Sequence, residues 1–257
     1  MTPSIRRSID WPTVCFFLLA YTLAWGVHLF IVRIASQAGI EADALLIAAE
    51  NLQFDSIASD LSVSPWLVYG LTRVQDFAFS ISGLVMIAYV GGITGLRELW
   101  GRLIRWRFGF PVYMVALLPL ALFAVSVVVT VATNEGILDT VDLSPGAIRA
   151  VLFGAQSGLL VYLFTRGPMG EELGLRGFAL PRLQQRHSPF AAASIIGLFW
   201  ALWHLPVLLN RDPVSIIVFL LVAFTFSYIF TWMFNASGGS LIPGLLFHAT
   251  QNAEEIW

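Results

Sequence analysis

The chain contains no lysine. All 14 of its basic residues are arginine, set against 16 acidic ones for a net charge of −2. Without a basic excess there is no electrostatic footprint for nucleic acid, which is not an expected partner. Cysteine occurs once, as Cys15 in an apolar run. That excludes an internal disulfide and a cysteine-rich zinc site. Charge of either sign is scarce, at 12% of 257 residues, where a soluble domain carries roughly a quarter. The HExxH helix of common zinc proteases is missing, and so is a serine in a GxSxG turn.

Hydrophobic residues fill that space. They make up 58% of the chain, with a mean hydropathy of +0.79. The fold expected is all-α: one domain over 1–257, a polytopic transmembrane bundle of about seven to eight helices. Apolar spans fall at 11–35, 66–94, 110–134, 149–183, 190–210, 213–235 and 240–257. Arg6 and Arg7 before the first run resemble a signal peptide or twin-Arg signal. The run is longer than about 20 residues, however, which favours a retained first helix. The segment 36–65 reads as a surface or amphipathic helix.

Charge alternates between connections. Arg6 and Arg7 precede the first span. Glu41, Asp43, Glu50, Asp55 and Asp60 follow it with no base among them. Arg97, Arg102, Arg105 and Arg107 come next, then Glu135, Asp139 and Asp142, then Arg182 and Arg186. The positive-inside rule makes the N-terminus and the arginine-rich connections cytoplasmic, in a multi-pass protein of the cell membrane. Trp11, Trp66, Trp100 and Trp106 sit near span ends as an interfacial belt.

The fourth span is too long. Its residues 149–183 would make a straight helix of about 52 Å against a core of about 30 Å. A tilt, a kink or break at Gly167-Pro168, or a re-entrant segment would accommodate it. It also carries Glu171, Glu172 and Arg176, and ionisable groups within a membrane mark a working interior. Glu172 and Arg176 are spaced i, i+4 and can pair. Glu171 is rotated about 100° away, which frees it to act as a base. One buried ion network that only fixes helix packing is the structural alternative.

His204 lies in the fifth span, and His248 with Asn252 shares one face of the seventh. Counted at 1.5 Å per residue from the arginine-rich ends, Glu171, Glu172 and His204 lie about 20 Å deep, and His248 about 15 Å. Similar depth on three helices implies one cavity, and it is expected to open toward the cytoplasm. Glu171 and His204 could bind and deprotonate a water, while His248 and Asn252 donate to an oxyanion. That set suits hydrolysis of a peptide or acyl bond. A second reading has a divalent metal such as zinc held by Glu171, His204 and His248. A proton-coupled carrier using the same groups as a relay is a third, weakened by the absence of an inverted repeat. Arg73 and Asp76 (i, i+3) are read as a structural pair, His28 as packing, and His187 as a loop residue.

The sequence Glu171-Glu172-Leu173-Gly174-Leu175-Arg176 resembles the EExxxR motif of the CAAX protease and bacteriocin-processing family of intramembrane proteases, also called CPBP or Abi-type. Trp200-Ala201-Leu202-Trp203-His204 is similar to that family's FxxxH, with Trp200 in place of Phe. His248-Ala249-Thr250-Gln251-Asn252 matches HxxxN. The motif-bearing core is 149–257. The resemblance implies an intramembrane endopeptidase with Glu171 as general base, His204 sharing the water, and His248 and Asn252 at the oxyanion. Glu172 and Arg176 would be conformational and Trp200 supporting. The family name implies a metalloprotease, which these residues do not decide. The partners are the bilayer and a membrane-associated peptide or protein substrate, cut near the cytoplasmic half of the membrane. A membrane scaffold or bacteriocin-immunity protein that keeps the motifs is the non-catalytic alternative.

Overall fold

A computed structural model describes residues 9–50, 52–53, 61–134, 144–146, 149, 159–209 and 211–252. The acidic residues Asp55, Asp60, Glu135, Asp139 and Asp142, and most of 149–158 at the head of the fourth span, lie outside them. So do Arg6, Arg7 and 253–257.

The described residues form twelve α-helices and one π turn, with no strand among them. These are α1 (Trp11–Ala38), α2 (Ala42–Glu50), α3 (Pro65–Asp76), α4 (Ala78–Leu103), α5 (Phe110–Ala116), α6 (Leu118–Thr133) and α7 (Gly167–Gly174). After the π turn (Leu175–Ala179) come α8 (Leu180–Gln184), α9 (Pro189–Trp203), α10 (Leu205–Leu208), α11 (Pro213–Ala236) and α12 (Ile242–Gln251). Among the described residues, helices fall within the expected apolar spans, divided where the chain carries Pro, Gly or an aromatic break. α3 and α4 share the second span, and α9 and α10 share the fifth. Three helices (α1, α4 and α11) are long and apolar enough to cross a membrane, or four spans if α5 and α6, bent by 50°, count as one. The protein is a multi-pass helical membrane protein.

Where side chains point agrees with a lipid surround. Along α6 no side chain is buried, yet Leu122, Val125 and Val128 lie on its outside. An apolar surface on that scale is stable only against lipid or another protein. Within the segment 36–65, a helix occupies Ala42–Glu50, and residues 51 and 54–60 lie outside the described ones. α2 tucks Leu45 and Ala49 against Ile31, Ile34 and Ala35 of α1 and Val68 of α3.

The break at Gly167-Pro168 also occurs. Helical residues 159–165 stop at Arg166, whose backbone is extended (φ −131°, ψ −157°), and α7 restarts with Pro168 in its first turn. Pro lacks an N–H and suits a helix start, where that donor would be unpaired. α7 then packs unusually close to the end of α3 and to α4. A Cβ on Gly170 would lie 2.3 Å from the Asp76 carbonyl oxygen, and one on Gly174 only 2.1 Å from that of Phe79. From the other side, a Cβ on Gly83 would meet Gly174 Cα at 2.6 Å. This small-xxx-small pair, Gly170 and Gly174, lets two backbones touch, as in membrane helix pairs generally. It drives the intervening Glu171 and Glu172 into the protein.

Candidate active site

Glu171 and Glu172 sit side by side on α7, 5% and 0% exposed. Their neighbours separate them. Glu172 Oε1 accepts from Arg176 at 2.9 Å, the expected i, i+4 pair, and from His248 Nδ1 at 3.0 Å across to α12. The Arg176 guanidinium lies 4.1 Å from the centre of the Phe230 ring and 5.3 Å from that of Trp200. Aromatic faces stabilise a desolvated cation there. Arg176 itself is in the π turn, a feature that recurs at functional sites.

Glu171 takes a different partner. Its Oε2 accepts from the indole N–H of Trp200 on α9. The Trp200 carbonyl in turn bonds His204 Nδ1 at 2.9 Å. Trp200 therefore holds the base with its ring and the histidine with its backbone. Phe199, the residue one position away, faces α1 instead, where it stacks on Phe17 with centroids 4.3 Å apart. The Phe-to-Trp difference in the second motif supplies a hydrogen-bond donor that phenylalanine lacks.

With its Nδ1 on Glu172, His248 has Nε2 left to face the cavity. A Cβ placed on Gly167 would lie 3.1 Å from His248 Nε2 and 3.2 Å from Glu171 Oε1. The two side chains thus converge from different helices on one small gap, kept clear by a glycine. Asn252, the cap residue of α12, donates from Nδ2 to the hydroxyl of Tyr162 at 2.7 Å. Tyr162 is buried in the helical stretch before Arg166. No motif or local spacing marks it, since a tyrosine in an apolar span reads as interfacial.

Glu171, Trp200, His204, His248, Asn252 and Tyr162 all line one cavity of about 720 Å³. The structure brings the predicted catalytic residues together, with Glu172 and Arg176 directly behind them. The other expected pairing, Arg73 with Asp76, is present at 3.0 Å. His28, read as a packing or interfacial residue, is buried and also lines this cavity.

Among the described residues, no three His, Cys, Asp or Glu side chains are grouped so as to hold a metal ion. Glu171, His204 and His248 share the cavity without forming such a group.

Residues 153–253 match the family model for Type II CAAX prenyl endopeptidase Rce1-like proteins. The likeness read from the three motifs is borne out. The chain is also 30% identical over 106 residues to CAAX prenyl protease 2 of Methanococcus maripaludis, a match covering 37% of this chain and 39% of that protein. The aligned part thus spans well under half of the relative's length. The whole Rce1-like match lies in the motif-bearing half and contains every cavity residue contributed by α7, α9 and α12.

Asp43 and Leu46 of α2, Gln75 and Asp76 of α3, and Arg211 before α11 also line this cavity.

Proposed function

We propose that the protein is an intramembrane endopeptidase that hydrolyses a peptide bond with a glutamate-activated water. The observation that carries this is the convergence of Glu171 Oε1 and His248 Nε2 on one buried gap, each fixed from behind by a separate partner. Packing alone does not call for a carboxylate and an imidazole held open toward each other. The match to Rce1-like endopeptidases over 153–253 supports the same reaction class.

In the proposed reaction Glu171 takes a proton from water as the oxygen attacks the scissile carbonyl carbon. The carbonyl oxygen gains the negative charge. His248, carrying protons on both nitrogens, donates to it from Nε2, and Asn252 donates with the Nδ2 hydrogen that Tyr162 does not use. Collapse of the tetrahedral intermediate breaks the C–N bond. The leaving amine receives the proton held by Glu171. His204, its Nδ1 fixed on the Trp200 carbonyl, presents Nε2 to the water. Glu172 and Arg176 keep His248 in place and do not touch substrate.

The test is cleavage by purified protein in detergent. Peptides would come from comparing membrane proteomes of cells with and without the gene. Glu171→Gln and His248→Ala should abolish cleavage while leaving circular dichroism unchanged. If either variant cuts at the wild-type rate, the assignment fails.

A further inference from the structure

We propose that His28 and Gln75 form a second subsite in the cavity, which binds a main-chain amide of a polypeptide substrate close to its scissile bond. The proposal rests on the protease reading and states how the substrate of that same site is held.

Neither residue takes part in the proposed reaction, and both lie outside the matched residues 153–253. Contacts nonetheless place them beside it. On α1, the indole N–H of Trp25 donates to the Trp203 carbonyl at 3.1 Å, and Trp203 directly precedes His204. His28 follows Trp25 at i+3 on the same helix face, about 4.5 Å farther along the axis. On α3, Gln75 adjoins Asp76, whose carbonyl oxygen is in contact with Gly170. Gly170 directly precedes Glu171. So α1 reaches the site at His204 and α3 reaches it at Glu171. The Gln75 side chain lies beside the His28 ring, and both residues line the cavity.

These side chains hold polar atoms that the fold does not use. His28 is 9% exposed. Among the described residues its Nδ1 has no hydrogen-bond partner, and neither has Gln75 Oε1. Leaving a buried polar atom unpaired is costly, and two of them from separate helices at one cavity point to a ligand. The terminal torsions of histidine and glutamine are soft, so a turn of the ring or the amide presents each atom to the cavity. Gln75 Oε1 can only accept, whereas an imidazole Nδ1 accepts or donates according to tautomer. A secondary amide carries one N–H and one C=O, which answers both.

The charges around the cavity favour a neutral polar group over a charged one. Asp76 is paired with Arg73 at 3.0 Å. Outside that pair, Glu171 and Asp43 balance Arg166 and Arg211 among the lining residues. An extended chain advances about 3.4 Å per residue. One or two residues of substrate therefore cover the step along α1 from the level of His204 to that of His28. The subsite grips the main chain and leaves side chains free, so it suits polypeptides of varied sequence held in extended form.

Kinetics on the whole protein in detergent, with a peptide that the wild type cuts, test this. His28→Phe keeps an aromatic ring and Gln75→Met keeps the side-chain length. Each should raise KM about three- to tenfold with kcat within about twofold of wild type, the mark of binding energy spent equally on ground and transition states. Peptides methylated at one backbone nitrogen at a time then locate the contact. At one position methylation should raise the wild-type KM by a similar factor and add nothing further in Gln75→Met, because the two changes remove the same hydrogen bond. If one variant fails to fold, the other and the methylated peptides decide. Unchanged KM in the folded variants, or penalties that multiply at every methylated position, overturn the subsite and leave the protease reading intact. A wild type that cuts no peptide removes that reading, and the subsite with it.

Discussion

Glu172 on α7 accepts a hydrogen bond from His248 Nδ1 on α12 at 3.0 Å, although 76 positions separate them in the chain. The second glutamate of the motif is thus more than an anchor for Arg176. It sets which nitrogen of His248 faces the cavity. Glu172→Gln keeps the size and one acceptor but removes the charge. Losing a charge-assisted hydrogen bond costs about 1.5–3 kcal/mol, so its kcat should fall roughly tenfold or more. KM should change much less. Steady-state kinetics on the peptide substrate checks this, and an unchanged kcat would return Glu172 to a purely structural role.

Trp200 allows a finer test. Trp200→Phe keeps an aromatic ring beside His204 and His248 but removes the N–H that Glu171 accepts. Losing a hydrogen bond to a charged group costs about 1.5–3 kcal/mol, so kcat should drop by roughly tenfold or more. Melting in detergent should hardly change. Wild-type kcat in Trp200→Phe would show that the indole N–H positions nothing.

The close approach of α7 to α4 predicts a sharp contrast between glycines. Gly174→Ala puts a methyl group 2.1 Å from a backbone oxygen, whereas nothing lies within 4 Å of the same group on Gly26. Overpacking of that kind costs about 1–3 kcal/mol or more. Gly26→Ala lies within α1 and should be neutral or slightly stabilising. Thermal melting in one detergent should separate the two variants clearly.

Asp10 predicts a pH effect on stability. Partial burial pushes its carboxyl up, but hydrogen bonds from Arg182 and Thr13 and the Arg182 charge outweigh this and hold it below 3.8. A depressed value stabilises the fold above the ordinary carboxylate range, and that contribution is lost as pH falls through the lowered value. Wild type should therefore lose melting temperature below about pH 4. Asp10→Asn should start lower and show less of this acid-side slope. Parallel slopes for the two proteins would contradict the assignment.

Much of this was legible because charge inside a membrane is costly. Glu171, Glu172, Arg176, His204 and His248 stand out against apolar spans, and a shared depth already groups them. Local spacing revealed the Arg176 pair, since i and i+4 meet on any helix. It could not reveal that His248 completes the same carboxylate, because that contact depends on how α12 leans on α7. Tyr162 gave no signal for the same reason. Nor could spacing show that α2 and Arg211 line the same cavity, since that too depends on how the helices pack.

The π turn at Leu175–Ala179 has a consequence for helical phase. A π turn carries one residue more than regular α-helix needs, and each residue advances the helix by about 100°. It lies between Glu171, which lines the cavity, and Arg182, which faces Asp10. Deleting a single residue there, Ala179 for example, would let the helix run on regularly while turning Arg182 away from α1. The extra residue thus keeps the chemistry at one end of the helix in step with the clasp at the other.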